Sequence, residues 1–274
     1  MNDFLHFIRA TMVEPEAFGT VHLIAIAAVV LLVTLLCIFF RDSNPKIYAR
    51  ILLIIWVVML VMDILRQVFL AYSFDEEGNI VWKYAWGAAP LQLCDAPLYL
   101  LPAIALLKEG KLKDALSAFM YSYVLLGGLV TLIAISSIAS TYVFLTFQTL
   151  LHHGLQIVAC IFIAVHERKR VSPRKFLSGA LVFLCAVVAV TAFNLVMHEL
   201  HPEQAVNMYF ISPYQKKVSP VFNDAWMKIT GIWQILFYVG GVSAFAFILF
   251  MILYGIFRLS KRLGERKSPN TVRA

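Results

Sequence analysis

Two short segments carry side chains that could act together as a nucleophile and a base. Residues 90–102 read PLQLCDAPLYLLP and place a glutamine, a cysteine and an aspartate within four positions of an otherwise apolar stretch. Residues 150–155 read LLHHGL, with His152 beside His153. An imidazole that faces a thiol takes its proton, and the thiolate then attacks a carbonyl carbon. These residue types indicate Cys94 as a candidate nucleophile and either histidine as its base.

A carboxylate is available to orient the imidazole. Asp95 follows the cysteine, and Asp63 is a second candidate for the same role. A carboxylate at the centre of a membrane costs roughly 2.5–3.5 kcal/mol on insertion scales, so such a group must be compensated or used. Helical spacing puts His152 on one stripe with Gln148 and Gln156, and His153 on its flank, so periodicity favours His152 as the inward-facing imidazole.

The composition is typical of a membrane protein. Of the 274 residues, 61% are hydrophobic and only 14% are charged, and the mean hydropathy is +0.80. A soluble domain is roughly half apolar and about a quarter charged. The long apolar runs predict an all-α polytopic membrane protein, and we expect a single integral membrane domain over residues 1–274.

Seven apolar runs approach the roughly 20 residues that a helix needs to cross a bilayer. They predict a seven-helix transmembrane bundle with spans at about 20–40, 48–72, 88–107, 114–135, 142–165, 175–197 and 230–257. Pro173 suits the first turn of the sixth span, with Ser172 as its N-cap. Pro97 and Pro102 lie deeper in the third span and predict a kink there.

The basic residues predict the orientation of the bundle. Of the 23 lysines and arginines, 17 fall on one side of the predicted spans and five on the other, with Arg66 inside a span. The positive-inside rule then places the N-terminus outside and the C-terminus in the cytoplasm. Topology therefore explains the net charge of +7, and we expect no nucleic-acid partner.

Polar side chains from five predicted spans fall at one depth of the membrane. At about 1.5 Å rise per residue, the outer half of the bundle holds them, while the inner half carries nothing comparable. Beside Cys94, Asp95 and the two histidines, this slab contains the candidate substrate-binding residues His22, Asp63, Arg66, Gln92, Gln156 and Asn194. Ionisable residues inside a membrane are functional candidates by default, and the coincidence predicts an outward-facing polar site.

Each of these residues also has a purely structural interpretation. Asp63 and Arg66 are spaced i,i+3 and could form an ion pair that is neutral overall. Asn194 could hydrogen-bond between helices. His22 could be an ordinary interfacial residue. The sequence leaves these alternatives open.

Four segments together resemble the YwaF-like family of bacterial integral membrane proteins, to which animal transmembrane protein 164 is related. They are FGTVHL in the first span, PLQLCD with the following LLP in the third, LLHHGL in the fifth, and NMYFISP after the sixth. The resemblance implies a seven-helix fold in a bacterial cell membrane. The animal relatives imply acyl transfer between phospholipids without coenzyme A, through a cysteine nucleophile.

The resemblance also assigns positions in this chain. The family cysteine falls on Cys94, and the histidine before glycine falls on His153, whereas periodicity favours its neighbour. Between the two histidines, we favour His153 as the base. The external asparagine–aromatic motif falls on Asn207 and Tyr209, which join the candidate substrate-binding residues. The family often has histidine two places before the cysteine, where this chain has Gln92.

The leading prediction is an enzyme that moves acyl chains between lipid esters at the outer leaflet. Cys94 is the expected nucleophile, Gln92 or Asn207 an oxyanion donor, and Arg66 a partner for lipid phosphate. We expect membrane lipids as partners, and no metal or other cofactor. The alternative is a transporter or a small-molecule or lipid-binding receptor that uses the same polar residues; a structural subunit is a third possibility. The sequence does not fix the oligomeric state.

Overall fold

A computed structural model describes residues 2–134, 139–215 and 231–266 of the chain. Its α-helices are α1 (Asn2–Ile8), α2 (Thr20–Phe40), α3 (Pro45–Ala71), α4 (Ala96–Leu106), α5 (Lys111–Phe119), α6 (Leu125–Ile133), α7 (Val143–His166), α8 (Pro173–Leu200) and α9 (Ile232–Arg266). Strands β1 (Tyr72–Phe74) and β2 (Ile80–Trp82) pair as an antiparallel hairpin. Short 3₁₀ turns cover Trp86–Ala88, Leu93–Asp95 and Met208–Phe210, and a π-helix covers Met120–Val124.

Six helices in the described ranges are long and apolar enough to cross a membrane. They overlap six of the seven predicted spans and are Thr20–Phe40, Pro45–Ala71, Lys111–Ile133, Val143–His166, Pro173–Leu200 and Ile232–Leu263. The chain is therefore an α-helical multi-pass membrane protein, with one small hairpin added. The count of seven spans and the outward N-terminus stay predictions, and the predicted span ends at 135 and 230 lie outside the described residues.

The third predicted span, 88–107, is only partly helical. Helical backbone runs from Leu93 to Leu106, too short to count among the long spans, and the residues before it are irregular. Pro97 lies in the first turn of α4, where its missing N–H costs no hydrogen bond, whereas Pro102 lies inside the helix. The carbonyl of Ala88 in the irregular part accepts from the Gln67 side chain at 3.0 Å. A side chain of the protein thus supplies a backbone hydrogen bond that lipid could not provide.

The span formed by α5, the π-helix and α6 lies at the centre of the bundle. All five residues of the π-helix are buried, and it contacts α7, α8 and α9. A π-helix shifts the usual hydrogen-bond ladder, and here a side chain of a neighbouring span joins it: Gln156 Nε2 donates to the carbonyl of Val124 at 2.6 Å. Ser122 Oγ also donates to the carbonyl of Ala118.

A small cap packs on the end of the bundle that carries the hairpin. Leu5, Ile8, Phe69 and Tyr72 form its buried apolar core. The Arg9 guanidinium lies 4.7 Å from the centre of the Phe69 ring and donates to the carbonyls of Phe69 and Tyr72. These contacts fix the segment before α2 against the ends of α3 and α7.

The contact between α5 and α8 depends on a glycine. A Cβ on Gly179 would lie 2.9 Å from two backbone atoms, the carbonyl carbon of Ala118 and the nitrogen of Phe119. Backbone at that distance cannot move aside as a flexible side chain would. Gly179 therefore sets how closely the two helices approach.

We expect Gly179→Ala to destabilise the bundle by about 1–3 kcal/mol, because the added methyl group overpacks a backbone contact. Gly240→Ala is the matched control, since a Cβ there meets nothing within 4 Å and alanine is the better helix former. Thermal unfolding in detergent should show a lower midpoint for the first variant and an unchanged or higher midpoint for the second. Equal midpoints would contradict this account of the contact.

Candidate functional site

Cys94 lies where the irregular segment before the third span becomes helical. It is the middle residue of the 3₁₀ turn Leu93–Asp95 that leads into α4, and it is partly buried. The main chain of this turn is held by Asp95, whose carboxylate Oδ2 accepts from the backbone N–H of Gln92 at 2.9 Å. The turn thus places a thiol next to a fixed carboxylate.

His152 of α7 contacts Cys94 directly through the main chain. Its Nε2 lies 3.0 Å from the carbonyl oxygen of Cys94. A carbonyl only accepts, so Nε2 carries the proton and Nδ1 has the free lone pair. Nδ1 is buried and has no hydrogen-bond partner within the described part of the chain. His152 therefore presents an unused basic nitrogen close to the cysteine.

Charged side chains of α3 and of the 3₁₀ turn form a chain of contacts that begins at the His152 imidazole. His152 Nε2 lies 3.9 Å from Asp95 Oδ1, and Arg66 NH2 lies 3.9 Å from the same oxygen. Arg66 also binds Asp63 Oδ1 through Nε and NH2, each at 2.9 Å. Asp63, Asp95 and His152 are 4%, 5% and 3% exposed. Two carboxylates and one guanidinium leave one negative charge in this buried group, which an imidazolium at His152 would balance.

His153 points its ring nitrogen elsewhere. Its Nδ1 lies 2.8 Å from the carbonyl of Thr149, one turn earlier in α7, so Nδ1 carries the proton. The ring centre is 5.4 Å from that of His152. The structure therefore gives His152, the residue that periodicity favoured, the contact with Cys94, rather than the histidine that the resemblance indicated.

Three amide side chains predicted to bind substrate hydrogen-bond the backbone of one loop, residues 207–212. Gln92 Oε1 accepts from the N–H of Tyr209 at 2.8 Å, and its Nε2 donates to the carbonyl of Asn207 at 3.1 Å. Asn194 accepts from the N–H of Met208 at 2.8 Å and donates to its carbonyl at 3.0 Å. Asn207 Oδ1 accepts from the N–H of Ser212. The amides of Gln92, Asn194 and Asn207 are thus engaged by backbone.

The loop that they hold is strained. Tyr209 and Phe210 have φ angles of 55° and 57°, a left-handed conformation that bulky residues rarely adopt. Such strain persists only where surrounding contacts over-determine it, and it collects at functional sites. The buried Tyr209 side chain interacts electrostatically with Cys94 and Asp95. The strained turn therefore places Tyr209 within electrostatic range of Cys94 and Asp95.

Two further candidates lie apart from this group. Gln156 supports the π-helix through Val124, as described above. His22 is fully buried, and both its nitrogens are used: Nδ1 accepts from the N–H of Phe18 at 2.9 Å, and Nε2 donates to the carbonyl of Leu132 at 2.7 Å. These contacts join α2 to the end of α6 and leave the imidazole no free nitrogen.

The sequence did not single out several residues that complete the site. Tyr84 donates to Gln67 Oε1 at 2.7 Å and so fixes the amide that binds Ala88. Trp56 Nε1 donates to the carbonyl of Leu98 at 2.8 Å and ties α3 to α4. Tyr238 of α9 is buried and interacts electrostatically with Cys94. Aromatic residues are common in apolar spans, so nothing in their local sequence marks these three.

A cavity of about 340 Å³ lies between α2, α6 and α7, outside the polar group. Its lining is almost wholly apolar and comprises Phe18, Ile26, Val29, Val30, Val33, Thr34, Leu129, Leu132, Ile133, Ile157 and Ile161. Ile157 and Ile161 follow His153 at intervals of four residues, so the cavity continues along the helix face on which His153 lies. Across residues 2–134, 139–215 and 231–266, no three histidine, cysteine or acidic side chains group as metal ligands.

We expect Asn194→Leu to destabilise the protein by about 1–3 kcal/mol for each backbone group of Met208 that loses its buried partner. Thr191→Val, in the same helix, is the matched control because its hydroxyl bonds only its own helix at Val187. Thermal unfolding in detergent measures both variants. A midpoint for Asn194→Leu as high as that for Thr191→Val would contradict the role of the amide as a clamp.

Comparison with known sequences agrees with this arrangement. A profile of the TMEM164 family matches residues 17–254, a range that contains Cys94, Asp95, His152 and the strained loop. No curated protein and no solved structure matches the chain. The bacterial YwaF-like part of the resemblance stays a prediction, while the relation to transmembrane protein 164 is confirmed. The chain belongs to the TMEM164 family.

Proposed function

We propose that this protein transfers acyl chains between membrane lipids through a thioester on Cys94. The observation that carries the proposal is the contact of His152 with the main chain of Cys94, because it places an imidazole with an unused basic nitrogen next to the residue that bears the thiol. Membership of the TMEM164 family supports it. The substrate class follows from the setting, since a lipid ester carbonyl lies just below the headgroups of the membrane that the protein spans. The cell membrane is the proposed location.

In the first half-reaction, Nδ1 of His152 takes the proton from Cys94 Sγ. The thiolate attacks the ester carbonyl carbon of a donor phospholipid, and a sulfur–carbon bond forms. The bond from that carbon to the ester oxygen then breaks, and the leaving lysolipid oxygen takes the proton back from His152. The products are a lysophospholipid and an acyl thioester on Cys94.

In the second half-reaction, the hydroxyl of an acceptor lysolipid attacks the thioester. His152 takes the hydroxyl proton, the new ester bond forms, and the sulfur–carbon bond breaks. The proton returns from His152 to the Cys94 thiolate, which restores the starting state. Each half-reaction moves one acyl group and one proton and needs no further reactant.

The charged neighbours stabilise the imidazolium that both steps create. Asp95 lies 3.9 Å from His152 Nε2 and 3.9 Å from Arg66 NH2, and Arg66 is itself held by Asp63 at 2.9 Å. A positive charge on His152 is therefore met by a carboxylate that is already in place. Arg66 has two carboxylates as partners, so we assign it to positioning Asp95 rather than to binding lipid phosphate.

The Gln92 amide is not free to serve as an oxyanion donor. Gln92 donates its N–H to the carbonyl of Asn207, and the Asn207 side chain caps Ser212. We assign the stabilisation of the developing oxyanion to the hydroxyl of Tyr209, because Tyr209 lies on the strained turn and interacts electrostatically with Cys94. Gln92, Asn194 and Asn207 then act by holding that turn.

The rival function, transport or reversible ligand binding, gains less support from the same contacts. A solute site needs polar groups that are available to the solute. Gln92, Asn194, Asn207 and Gln156 donate instead to backbone carbonyls or accept from backbone N–H groups. The unused nitrogen of His152 is the kind of group that acid–base chemistry employs.

We expect Cys94→Ala to abolish acyl exchange, since no other group of the site can carry the acyl chain. Purified protein in vesicles of defined phosphatidylcholine and lysophosphatidylcholine is assayed by lipid mass spectrometry, with intact-protein mass spectrometry for the thioester. Cys37→Ala is the control, because Cys37 is another partly buried free cysteine in a span. Wild-type protein without exchange or thioester, or exchange that survives Cys94→Ala, would refute the mechanism.

The same assay distinguishes the roles of the two histidines. We expect His152→Ala to lower the rate of thioester formation by about 10²–10⁴-fold, the usual contribution of a general base. His153→Ala should retain most of the rate, because the bond of His153 to the Thr149 carbonyl stays within its own helix. The reverse order would assign the base to His153.

A further inference from the structure

A second group of buried ionisable side chains lies at the opposite end of α7. Glu167 follows the last residue of this helix, at the end of the bundle that the basic residues predict to be cytoplasmic. Its side chain is 1% exposed. Neither carboxylate oxygen has a hydrogen-bond partner among the residues that the structure describes. A buried carboxylate is costly in its ionised form unless it is both paired and hydrogen-bonded.

The nearest cations are closer to other carboxylates. Lys175 Nζ lies 3.7 Å from Glu167 Oε2 but 2.7 Å from Asp114 Oδ1. Arg170 NH2 lies 3.9 Å from Glu167 Oε1, while its NH1 forms a tighter pair with Glu109. Both contacts to Glu167 exceed hydrogen-bond distance. Glu167 is therefore the least well paired acid of the group.

The other basic side chains around Glu167 do not provide it with a closer partner. Lys113 of α5 lies 3.0 Å from Glu109 and is engaged there. His166 stacks on the Tyr48 ring of α3, with ring centres 4.0 Å apart. The three acids, Glu109, Asp114 and Glu167, thus face the three cations Lys113, Arg170 and Lys175, and the distances favour the first two acids.

Hydroxyl groups surround the unpaired carboxyl. The hydroxyls of Tyr48, Ser117 and Tyr121 are all buried and lack a hydrogen-bond partner among the described residues. They come from α3, α5 and the π-helix. Tyr48 and Tyr121 interact electrostatically with Glu167, whereas Ser117 approaches its carboxyl as a hydrogen-bond donor without reaching full hydrogen-bond geometry. A hydroxyl accepts a hydrogen bond as readily as it donates one. A protonated carboxyl would supply the donor that these acceptors lack.

We propose that Glu167 is a proton-binding site, protonated in the packed bundle and hydrogen-bonded to one of these hydroxyls. The proton comes from the adjacent aqueous phase. Its loss creates a carboxylate that competes with Asp114 for Lys175 and with Glu109 for Arg170. The site thereby couples the pH on this side of the membrane to the contacts between α5, α7 and α8. It is separate from Cys94 and does not depend on acyl transfer.

The direction of the Glu167 pKa shift agrees with this proposal. Burial raises the pKa of Glu167 above its ordinary range, although the Ser117 hydroxyl and then the charges of Lys175 and Arg170 oppose the rise. The hydrogen bond from Arg170 lowers the pKa of the exposed Glu109 to about 2. Because the folded protein holds the Glu167 proton more tightly than the unfolded chain, the stability from Glu167 is present at low pH and declines as pH rises through its raised pKa.

Infrared difference spectroscopy of the protein in vesicles tests the proposal during a pH titration. We expect a carboxylic-acid carbonyl band that titrates above the ordinary glutamate pKa and disappears in Glu167→Gln. Glu109→Gln is the matched control and keeps the band, with a lower midpoint because Arg170 is released towards Glu167. A band that persists in Glu167→Gln, or a midpoint at or below that of an ordinary glutamate, would overturn the proposal.

Two measurements guard against a variant that does not fold. Ser117→Ala leaves the carboxyl in place and should move the midpoint of the band; an unmoved midpoint contradicts the role of the hydroxyls. Thermal unfolding of the wild type in detergent should show a midpoint that falls as pH rises through the Glu167 titration. Where Glu167→Gln folds, this slope should flatten, and an undiminished slope also counts against the site.

Discussion

The ion contacts of Arg66 with Asp63 and Asp95 are the constraint on which the site depends. Two carboxylates inside a low-dielectric bundle are tolerable only when a cation lies between them, and the guanidinium does so from within the same span as Asp63. Asp95 is then able to hold the backbone of Gln92, which fixes the turn that carries Cys94. The ion contacts thus determine where the thiol lies as well as the charge near His152.

The second constraint is that backbone N–H and carbonyl groups outside regular helices need hydrogen-bond partners. In several places a side-chain amide provides one. The irregular residues before the third span, the π-helix in the central span and the strained external loop all depart from a regular hydrogen-bond ladder. Gln67, Gln156 and Asn194 each bind a carbonyl of one of these segments. Polar residues of this apolar bundle therefore serve the backbone as much as chemistry, because lipid offers no alternative partner.

The sequence predicted most of the fold because the apolar runs that cross a membrane are long and unbroken. It could not predict that the third run is helical only from Leu93, since hydropathy records composition rather than backbone hydrogen bonds. For the site, the stripe of α7 favoured His152, whose Nε2 contacts the Cys94 carbonyl, whereas the resemblance favoured His153. Which histidine acts as the base stays a prediction. Gln92 and Asn194 bind loop backbone that is more than ten residues away along the chain, so the local sequence did not predict these contacts. Asn207 binds Ser212 within the loop itself. Tyr84, Trp56 and Tyr238 carry no local signal, and only tertiary packing reveals them.

The short third span has a consequence for the surrounding bilayer. A helix from Leu93 to Leu106 rises about 21 Å at 1.5 Å per residue, whereas the hydrocarbon layer is about 30 Å thick. Lipids beside this span meet a hydrophobic mismatch, which membranes relieve by local thinning. Thinning draws the headgroup region inward at the end of the helix where Cys94 lies. Under the proposed function, the break in the helix thereby shortens the path of a lipid ester to the thiol.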